Sequence, residues 1–298
     1  MNNLKRSGVS KGIVALFFAT FLFSLFGVFT RLIADQVGVF FQLLVRVSIM
    51  CGIFFAIGRL THSFKKIKGN DFKLFILRGI LVVVDFTSFY IAITQLPLGL
   101  TLFIFYAASV AANFLYGYLF LHEEITSIKV ISLFLALLGL VAIYGDSFGS
   151  LKLIPALAAI FSGACFGLTT STSKTLTDKY SVTQVNFVAY LTAAILAIPL
   201  LIIVQEDISF NIPISTILLL ILFSITGVGA FYATLYGYKF LEAQKASLIM
   251  LAELIFVVLL GFVLYKEVPN INTIIGGILI LSALALPNLP HNKTFKIN

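Results

Sequence analysis

The stretch that decides the fold is FTSFYIAITQLPLGLTLFIFYAASVAANFLYGYLFL, from Phe86 to Leu121, which runs for 36 residues without a charge. As one helix rising about 1.5 Å per residue it would be about 54 Å long. The hydrocarbon core of a bilayer is only about 30 Å thick. The chain must therefore turn, and Leu96-Pro97-Leu98-Gly99 provides a turn sequence. The stretch predicts two membrane-crossing helices joined by a short connection.

The rest of the chain has the same apolar character. Of its 298 residues, 60% are hydrophobic and 11% charged, and the mean hydropathy is +1.09. Soluble domains carry roughly 25% charged residues, and a β-barrel would show short alternating segments instead of long apolar runs. The sequence therefore predicts an all-α polytopic membrane protein with ten transmembrane helices. These helices are expected at residues 12–30, 39–58, 73–94, 98–120, 127–145, 152–173, 183–204, 213–237, 246–265 and 271–287.

The two halves of the sequence resemble each other at an offset of about 145 residues. The matching pairs are Phe89-Tyr90 with Leu235-Tyr236, Leu100-Thr101-Leu102 with Ala246-Ser247-Leu248, and Leu121-His122-Glu123-Glu124 with Leu264-Tyr265-Lys266-Glu267. Since each half has five helices, an odd number, the second must enter the membrane from the opposite face. We therefore expect two inverted five-helix repeats, 12–146 and 147–287, flanked by a cytoplasmic segment 1–11 and a cytoplasmic tail 288–298.

The basic residues predict the orientation, because Lys and Arg collect in cytoplasmic loops. One side of the predicted bundle holds fifteen of the twenty Lys and Arg residues, and the other side holds three. The fifteen are Lys5, Arg6, Lys11, Arg59, Lys65, Lys66, Lys68, Lys73, Lys129, Lys174, Lys179, Lys239, Lys245, Lys293 and Lys296. Both termini are therefore predicted to be cytoplasmic. Arg46 and Arg78 fall inside helices.

Several residues carry a resemblance to a known family. They are Phe26-Gly27 and Phe166-Gly167 in the first helix of each half, Arg46, Leu96-Pro97, an acidic residue closing helices four and nine (Glu123 or Glu124, and Glu267), and the small residues Ser132, Gly139, Gly276 and Ala283. Together they resemble the drug/metabolite transporter superfamily, in its ten-helix branch with two EamA-type repeats. The resemblance implies transport of small metabolites through a cavity among helices one, three, four, six, eight and nine.

Two departures from the family pattern bear on the mechanism. The family often has Trp where Phe26 and Phe166 stand, and this chain has no Trp. It also often has proline in helices four and nine, where this chain has Val110 or a neighbour and Leu254. The resemblance therefore does not imply a kink at those points. Gly163 and Gly167, four residues apart, predict a close approach of two helices.

Two carboxylates are predicted inside the membrane. Asp85 lies twelve residues past Lys73, about 18 Å along the helix, and Glu253 lies in the ninth helix. A carboxylate at that depth is costly and is expected to face the protein interior with a partner. Asp85 is predicted to bind a substrate amine or couple a proton; the alternative is a structural hydrogen bond to Thr87, Ser88 or a neighbouring helix. For Glu253, binding and a bond to exposed backbone or to an Arg are both open.

Further candidates for substrate binding are aromatic or polar. They are Phe86, Phe89, Tyr90, Tyr106, Asn113, Phe231, Tyr232 and Tyr236. The aromatic residues could form a box for a planar or cationic ligand, or simply pack. Arg46 is expected in a structural ion pair, and Arg78, close to the cytoplasmic end, is expected to extend its charge to the interface.

These features predict a secondary active transporter that moves an amino acid or a nucleotide- or cofactor-like solute by alternating access, with proton coupling as one possibility. A facilitator or exchanger without ion coupling, or a non-transporting accessory subunit for a lipid carrier, remains open. HExxH and phosphate-loop motifs are absent from the sequence, so we expect no enzyme and no ATP-driven pump. No cofactor, metal or nucleic acid is expected. The expected location is the bacterial inner membrane, as a monomer in the lipid bilayer.

Overall fold

The chain folds into a bundle of long apolar helices. A computed structural model describes residues 2–33, 36–206 and 212–288, without the side chains of residues 2–7, 31 and 146. Its α-helices are α1 (Asn2–Ile33), α2 (Val39–Leu60), α3 (Gly69–Ile93), α4 (Leu98–Phe120), α5 (Ser127–Tyr144), α6 (Leu153–Thr177), α7 (Val182–Val204), α8 (Ile214–Phe240), α9 (Ala243–Met250), α10 (Ala252–Tyr265) and α11 (Ile271–Ala285). Short 3-10 helices cover Gly145–Ser150 and Leu286–Asn288.

Ten segments of the described residues are long and apolar enough to cross a bilayer, and α9 and α10 together make the ninth. The predicted all-helical, ten-span architecture is confirmed. The first helix is longer than predicted, because it begins at Asn2 and includes most of the segment assigned to a cytoplasmic terminus. Nearly all of the predicted tail, with Lys293 and Lys296, lies outside the described residues.

The helices pack with a twofold pattern that exchanges α1–α5 with α6–α11. The contact between α1 and α8 is equivalent to the contact between α6 and α3. The contact between α6 and α4 is equivalent to the contact of α1 with α9 and α10. Two further contacts, α2 with α7 and α5 with α11, map onto themselves. Because each repeat contributes an odd number of spans, this exchange inverts the repeats across the membrane.

Left-handed backbone residues mark the same symmetry. The non-glycine residues with positive φ in the described chain are His62 (49°), His122 (53°), Gln205 (53°) and Lys266 (57°). They form two equivalent pairs, since His62 and Gln205 follow α2 and α7, and His122 and Lys266 follow α4 and α10. The pair His122 and Lys266 corrects the repeat register predicted here by one residue, and makes Glu123 the equivalent of Glu267.

Glycines set the closest helix contacts. A Cβ at Gly139 in α5 would lie 2.8 Å from the carbonyl oxygen of Gly276 in α11, and a Cβ at Gly276 would lie 2.5 Å from the carbonyl oxygen of Gly139. In α6, a Cβ at Gly167 would lie 2.5 Å from the carbonyl oxygen of Ser109 in α4, and Gly163 lies against the Phe105 carbonyl. The glycine pattern therefore allows the backbones to approach as the sequence predicted.

The ninth span is interrupted although it has no proline. Leu251 separates α9 from α10, and its amide bonds the Leu248 carbonyl at 3.2 Å while its carbonyl accepts from the Leu254 amide at 3.1 Å. These bonds span three residues in place of four, a tightening that often marks a functional hinge. The sequence did not predict this break, because the ninth helix has no proline there.

Candidate functional site

Asp85 lies in α3 and faces α6. The Ser162 hydroxyl donates a hydrogen bond of 2.6 Å to the Asp85 carboxylate, and within the described chain no basic side chain forms a salt bridge with it. Asp85 is half-buried. The bond joins the two repeats and leaves most of the acceptor capacity of the carboxylate unused, because an ionised carboxylate has about four acceptor sites. Asp85 can therefore accept a proton or an amine.

Glu253 lies in the first turn of α10, directly after the break at Leu251. Its carboxylate lies near the Tyr106 hydroxyl of α4, and Tyr144 of α5 is close enough to interact electrostatically. An acidic side chain is favourable at a helix N-terminus, where the backbone dipole is positive. Glu253, like Asp85, is half-buried.

Aromatic rings connect the surroundings of the two carboxylates. Tyr190 lies close enough to Asp85 to interact with it electrostatically. From Tyr190 the ring contacts run to Phe231 (5.5 Å between centroids) and on to Phe23 (5.0 Å). Phe23 contacts Phe166 (6.2 Å), which contacts Phe105 (5.4 Å), next to Tyr106 (5.1 Å) and Phe89 (5.4 Å). Asp85 and Glu253 are thus linked by a continuous cluster of rings drawn from both repeats.

The structure places several predicted site residues in or beside this cluster and others away from it. Phe86, Phe89, Tyr106 and Phe231 adjoin the cluster, with Asp85 and Glu253 at its two ends. The remaining four do not belong to it. Tyr90 packs on Phe40 of α2 at 5.3 Å, Tyr232 is 41% exposed and stacks on Tyr236, and Asn113 is fully buried between α4 and α6.

Asn113 is part of a polar contact nearer the end of the bundle where α4 and α6 finish. Its side-chain oxygen accepts from Ser171 at 2.6 Å and from Thr170 at 3.3 Å, and its amide nitrogen donates to the Ser109 carbonyl at 2.9 Å. All these partners are buried. With its oxygen and one donor engaged, Asn113 joins α4 to α6.

The two membrane arginines have different surroundings from those predicted. The Arg46 guanidinium lies 3.5 Å from the ring centroid of Phe223 and 5.0 Å from that of Phe26, and the described carboxylates form no salt bridge with it. Ring faces thus occupy the place of the expected ion-pair partner. Arg78 is 1% exposed and donates to the carbonyls of Thr169 and Val185, each at 3.1 Å. The expectation that Arg78 reaches the interface is wrong, because two backbone acceptors hold it inside.

Sequence reasoning missed the residues that complete the site from the other helices. Ser162, Phe23, Phe105 and Tyr190 hold no charge, and each has many look-alikes in a chain with 31 Phe and 11 Tyr. One signal was available, since Ser162 directly precedes Gly163 and so lies beside the close contact of α6. The aromatic residues could only be selected once the helices were packed.

A separate cavity lies away from the predicted site residues. A cavity of about 510 Å³ opens at the loop end of α4 and α9, lined by residues that include His122, Lys129, Glu242, Lys245 and Pro287, and it shares no residue with the predicted site. In the described part of the chain, no group of three His, Cys, Asp or Glu residues could hold a metal ion.

Comparisons with known proteins agree with this fold. A protein of Clostridium kluyveri described as an uncharacterized transporter is 25% identical over 236 residues, 76% of this chain and 75% of its own length. A protein crystal structure with 18% sequence identity superposes with a TM-score of 0.78, over 93% of this chain and 96% of that one. The EamA-like transporter family matches residues 10–145 and again 153–289. The chain, with its two five-span repeats, therefore belongs to the EamA-like transporter family of the drug/metabolite transporter superfamily.

Proposed function

We propose that the protein is a secondary transporter that moves a small metabolite across the membrane by alternating access. The observation that carries this proposal is the position of Asp85 and Glu253. They are two half-buried carboxylates at opposite ends of one ring cluster, built where the repeats meet. Inverted-repeat transporters place their substrate between the repeats near the bilayer midplane. A carboxylate without a cationic partner at that depth is a functional group by default.

The chemistry of the site favours a solute that carries an amine. Asp85 receives one hydrogen bond, from Ser162, and can accept others from an ammonium group or bind a proton. The rings between the carboxylates offer faces on which a cation or a planar group can rest. The Arg46 guanidinium is covered by the rings of Phe26, Phe86 and Phe223. An amino acid or an amine-bearing, cofactor-like solute therefore fits better than a highly anionic nucleotide.

The cellular setting belongs to the same proposal. The excess of Lys and Arg in one set of loops supports a bacterial inner-membrane protein with both termini in the cytoplasm. A single chain contains both repeats and so can form the site alone, which supports a monomer. The family membership supports a lipid-embedded carrier for a small molecule and gives no role to nucleic acid or to a catalytic group.

Counterflow into proteoliposomes tests the proposal. We expect the wild type to accumulate at least one labelled solute from a panel of amino acids, amines, nucleotides and cofactors. Asp85→Asn should reduce that flux at least about tenfold, because it removes an intramembrane charge, and Glu253→Gln should also reduce it. Glu124→Gln, which removes a loop carboxylate, is the matched control and should leave the flux unchanged.

The outcomes separate the alternatives. Flux that rises with an inward proton gradient and loses this response in Asp85→Asn supports proton coupling. Equal flux with and without the gradient identifies a facilitator or exchanger. Wild-type-like flux in both Asp85→Asn and Glu253→Gln would contradict the assigned site, and a purified protein that moves nothing in the panel would contradict the transport function.

A further inference from the structure

A cluster of charged groups at the loop end of α4 and α9 joins the two repeats. Glu123, which follows α4 in the first repeat, is 7% exposed. Its carboxylate accepts from the backbone amides of Ala243 at 2.7 Å and Gln244 at 3.2 Å, the first two residues of α9. Lys174 of α6 donates to the same carboxylate at 2.9 Å and to the Leu241 carbonyl at 2.7 Å. Every partner of Glu123 named here belongs to the second repeat.

These contacts supply what α9 lacks locally. The first amides of a helix have no partner within the helix, and the N-cap residue of α9, Glu242, makes no capping hydrogen bond with its own side chain. Glu123 provides that cap from the other repeat, with a negative charge that the helix dipole favours. Separating α4 from α9 would therefore expose two buried amides and the Lys174 charge.

The equivalent residues at the opposite end of the bundle are Glu267 and Gly261. The Glu267 carboxylate lies 2.9 Å from the Cβ position of Gly261, as the Glu123 carboxylate lies 2.8 Å from the Cβ position of Gly117. The first amides of α4 are the equivalents of those that Glu123 caps, and the N-cap residue Pro97 makes no side-chain cap to them. The backbone arrangement at the Glu123 end is thus repeated at the Glu267 end.

The glycines of the Phe-Gly pairs distinguish the two ends of the bundle. A Cβ at Gly167 would clash with the Ser109 carbonyl and with Ala112 of α4. A Cβ at the equivalent Gly27 of α1 would meet nothing within 4 Å. By the match of Gly117 with Gly261, the equivalents of Ser109 and Ala112 are Glu253 and Phe256 of α10. The space left open at Gly27 therefore lies on the side of α1 where Glu253 would pack.

We infer that Glu123 and Lys174 form a latch, which holds the bundle closed at the α4–α9 loop end while the other end is open beside Glu253. Glu267 takes the equivalent role by capping α4 when the closed and open ends exchange. This inference rests on the proposed alternating access and names the contacts that alternate. The closed end is the one that carries the basic loops, so the conformation described here faces away from the cytoplasm in the proposed orientation.

Thiol accessibility in lipid nanodiscs tests the latch. Ser247, on α9 one turn beyond the capped amides, is 2% exposed; Ser247→Cys is introduced after Cys51→Ala and Cys165→Ala remove the native thiols. A membrane-impermeant sulfonated maleimide should label it slowly. Adding Glu123→Gln should raise the labelling rate at least about tenfold, because hydrogen bonds to a charged acceptor are among the stronger ones. Lys174→Met should raise it in the same direction.

Matched variants keep the test specific. Glu124→Gln removes the adjacent carboxylate, whose residue contributes its backbone carbonyl to Lys129 at 2.6 Å, and should leave the rate unchanged. Glu267→Gln should not raise it. Unchanged labelling in both Glu123→Gln and Lys174→Met would overturn the latch even if flux is observed. Faster labelling in a protein that transports no solute in the panel would support the latch and overturn the proposed function instead.

Discussion

Phe26-Gly27 in α1 and Phe166-Gly167 in α6 hold the same place in the two repeats, yet their surroundings differ. Gly167 lies against the α4 backbone, with Asn113, Thr170 and Ser171 forming a buried polar contact beside it. Gly27 is exposed and has no neighbour where a Cβ would point. The comparison shows that equivalent positions of the two repeats pack differently, and the proposed alternating access requires such an asymmetry.

The largest expected effect comes from filling the closed side. Gly163→Ala and Gly167→Ala place a methyl group against the backbone oxygens of Phe105 and Ser109, and we expect each to lower stability by about 1–3 kcal/mol through overpacking. Gly27→Ala is the matched control and should change stability by less than about 0.5 kcal/mol. Thermal unfolding in detergent, followed by loss of the monodisperse protein, measures both. Equal thermal unfolding midpoints for Gly167→Ala and Gly27→Ala would contradict the difference in packing between the two glycines.

A smaller difference is expected between the two membrane arginines. Arg78 spans from α3 to carbonyls of α6 and α7, and a lysine cannot reproduce both bonds from one nitrogen on a shorter group. Arg78→Lys should therefore cost about 1–2 kcal/mol. Arg46→Lys keeps a cation over the rings and should cost about 0.5 kcal/mol or less. The same thermal assay ranks the two, and a larger loss for Arg46→Lys would show that ring contacts stabilise more than the Arg78 bonds do.

The smallest expected effect concerns pH at the latched end. Burial alone would raise the pKa of Glu242, but the hydrogen bond and charge of Lys129, with the charge of Lys245, outweigh it and set the pKa below its ordinary value of 4.5. A lowered pKa in the folded state stabilises the protein above the unfolded pKa, and this contribution is lost as pH falls through the folded value. The free energy of unfolding of the wild type should therefore be slightly larger than that of Glu242→Gln at neutral pH, and the two values should converge in acid. A difference that grows on acidification would contradict this.

The sequence was sufficient for the architecture, because ten apolar runs, a turn at Pro97 and an odd number of helices in each half leave little freedom. It also located Asp85 and Glu253, since charges are conspicuous inside apolar segments. It did not reveal the partners of these carboxylates, because Ser162 and Tyr106 are ordinary residues until packing brings them into range. Arg78 was misjudged for a related reason. Its depth suggested a path to the interface, whereas the carbonyls of Thr169 and Val185 are brought to it only by the crossing of three helices.

The break at Leu251 was also beyond sequence reasoning. No proline or glycine occupies positions 249–254, and the apolar run through this region reads as one continuous helix. Tertiary contacts hold the start of α9 instead, since its first two amides donate to Glu123 of the other repeat.

If Glu123 holds the bundle closed at the α4–α9 loop end while it is open beside Gly27, thiols at the two places must differ in reactivity. The labelling rates of Gly27→Cys and Ser247→Cys by an impermeant maleimide in nanodiscs, each with and without Glu123→Gln, measure this difference. We expect fast labelling at position 27 and slow labelling at position 247, with Glu123→Gln reversing the order. Slow labelling at position 27 in the protein that retains Glu123, or an order that Glu123→Gln leaves unchanged, would overturn the latch.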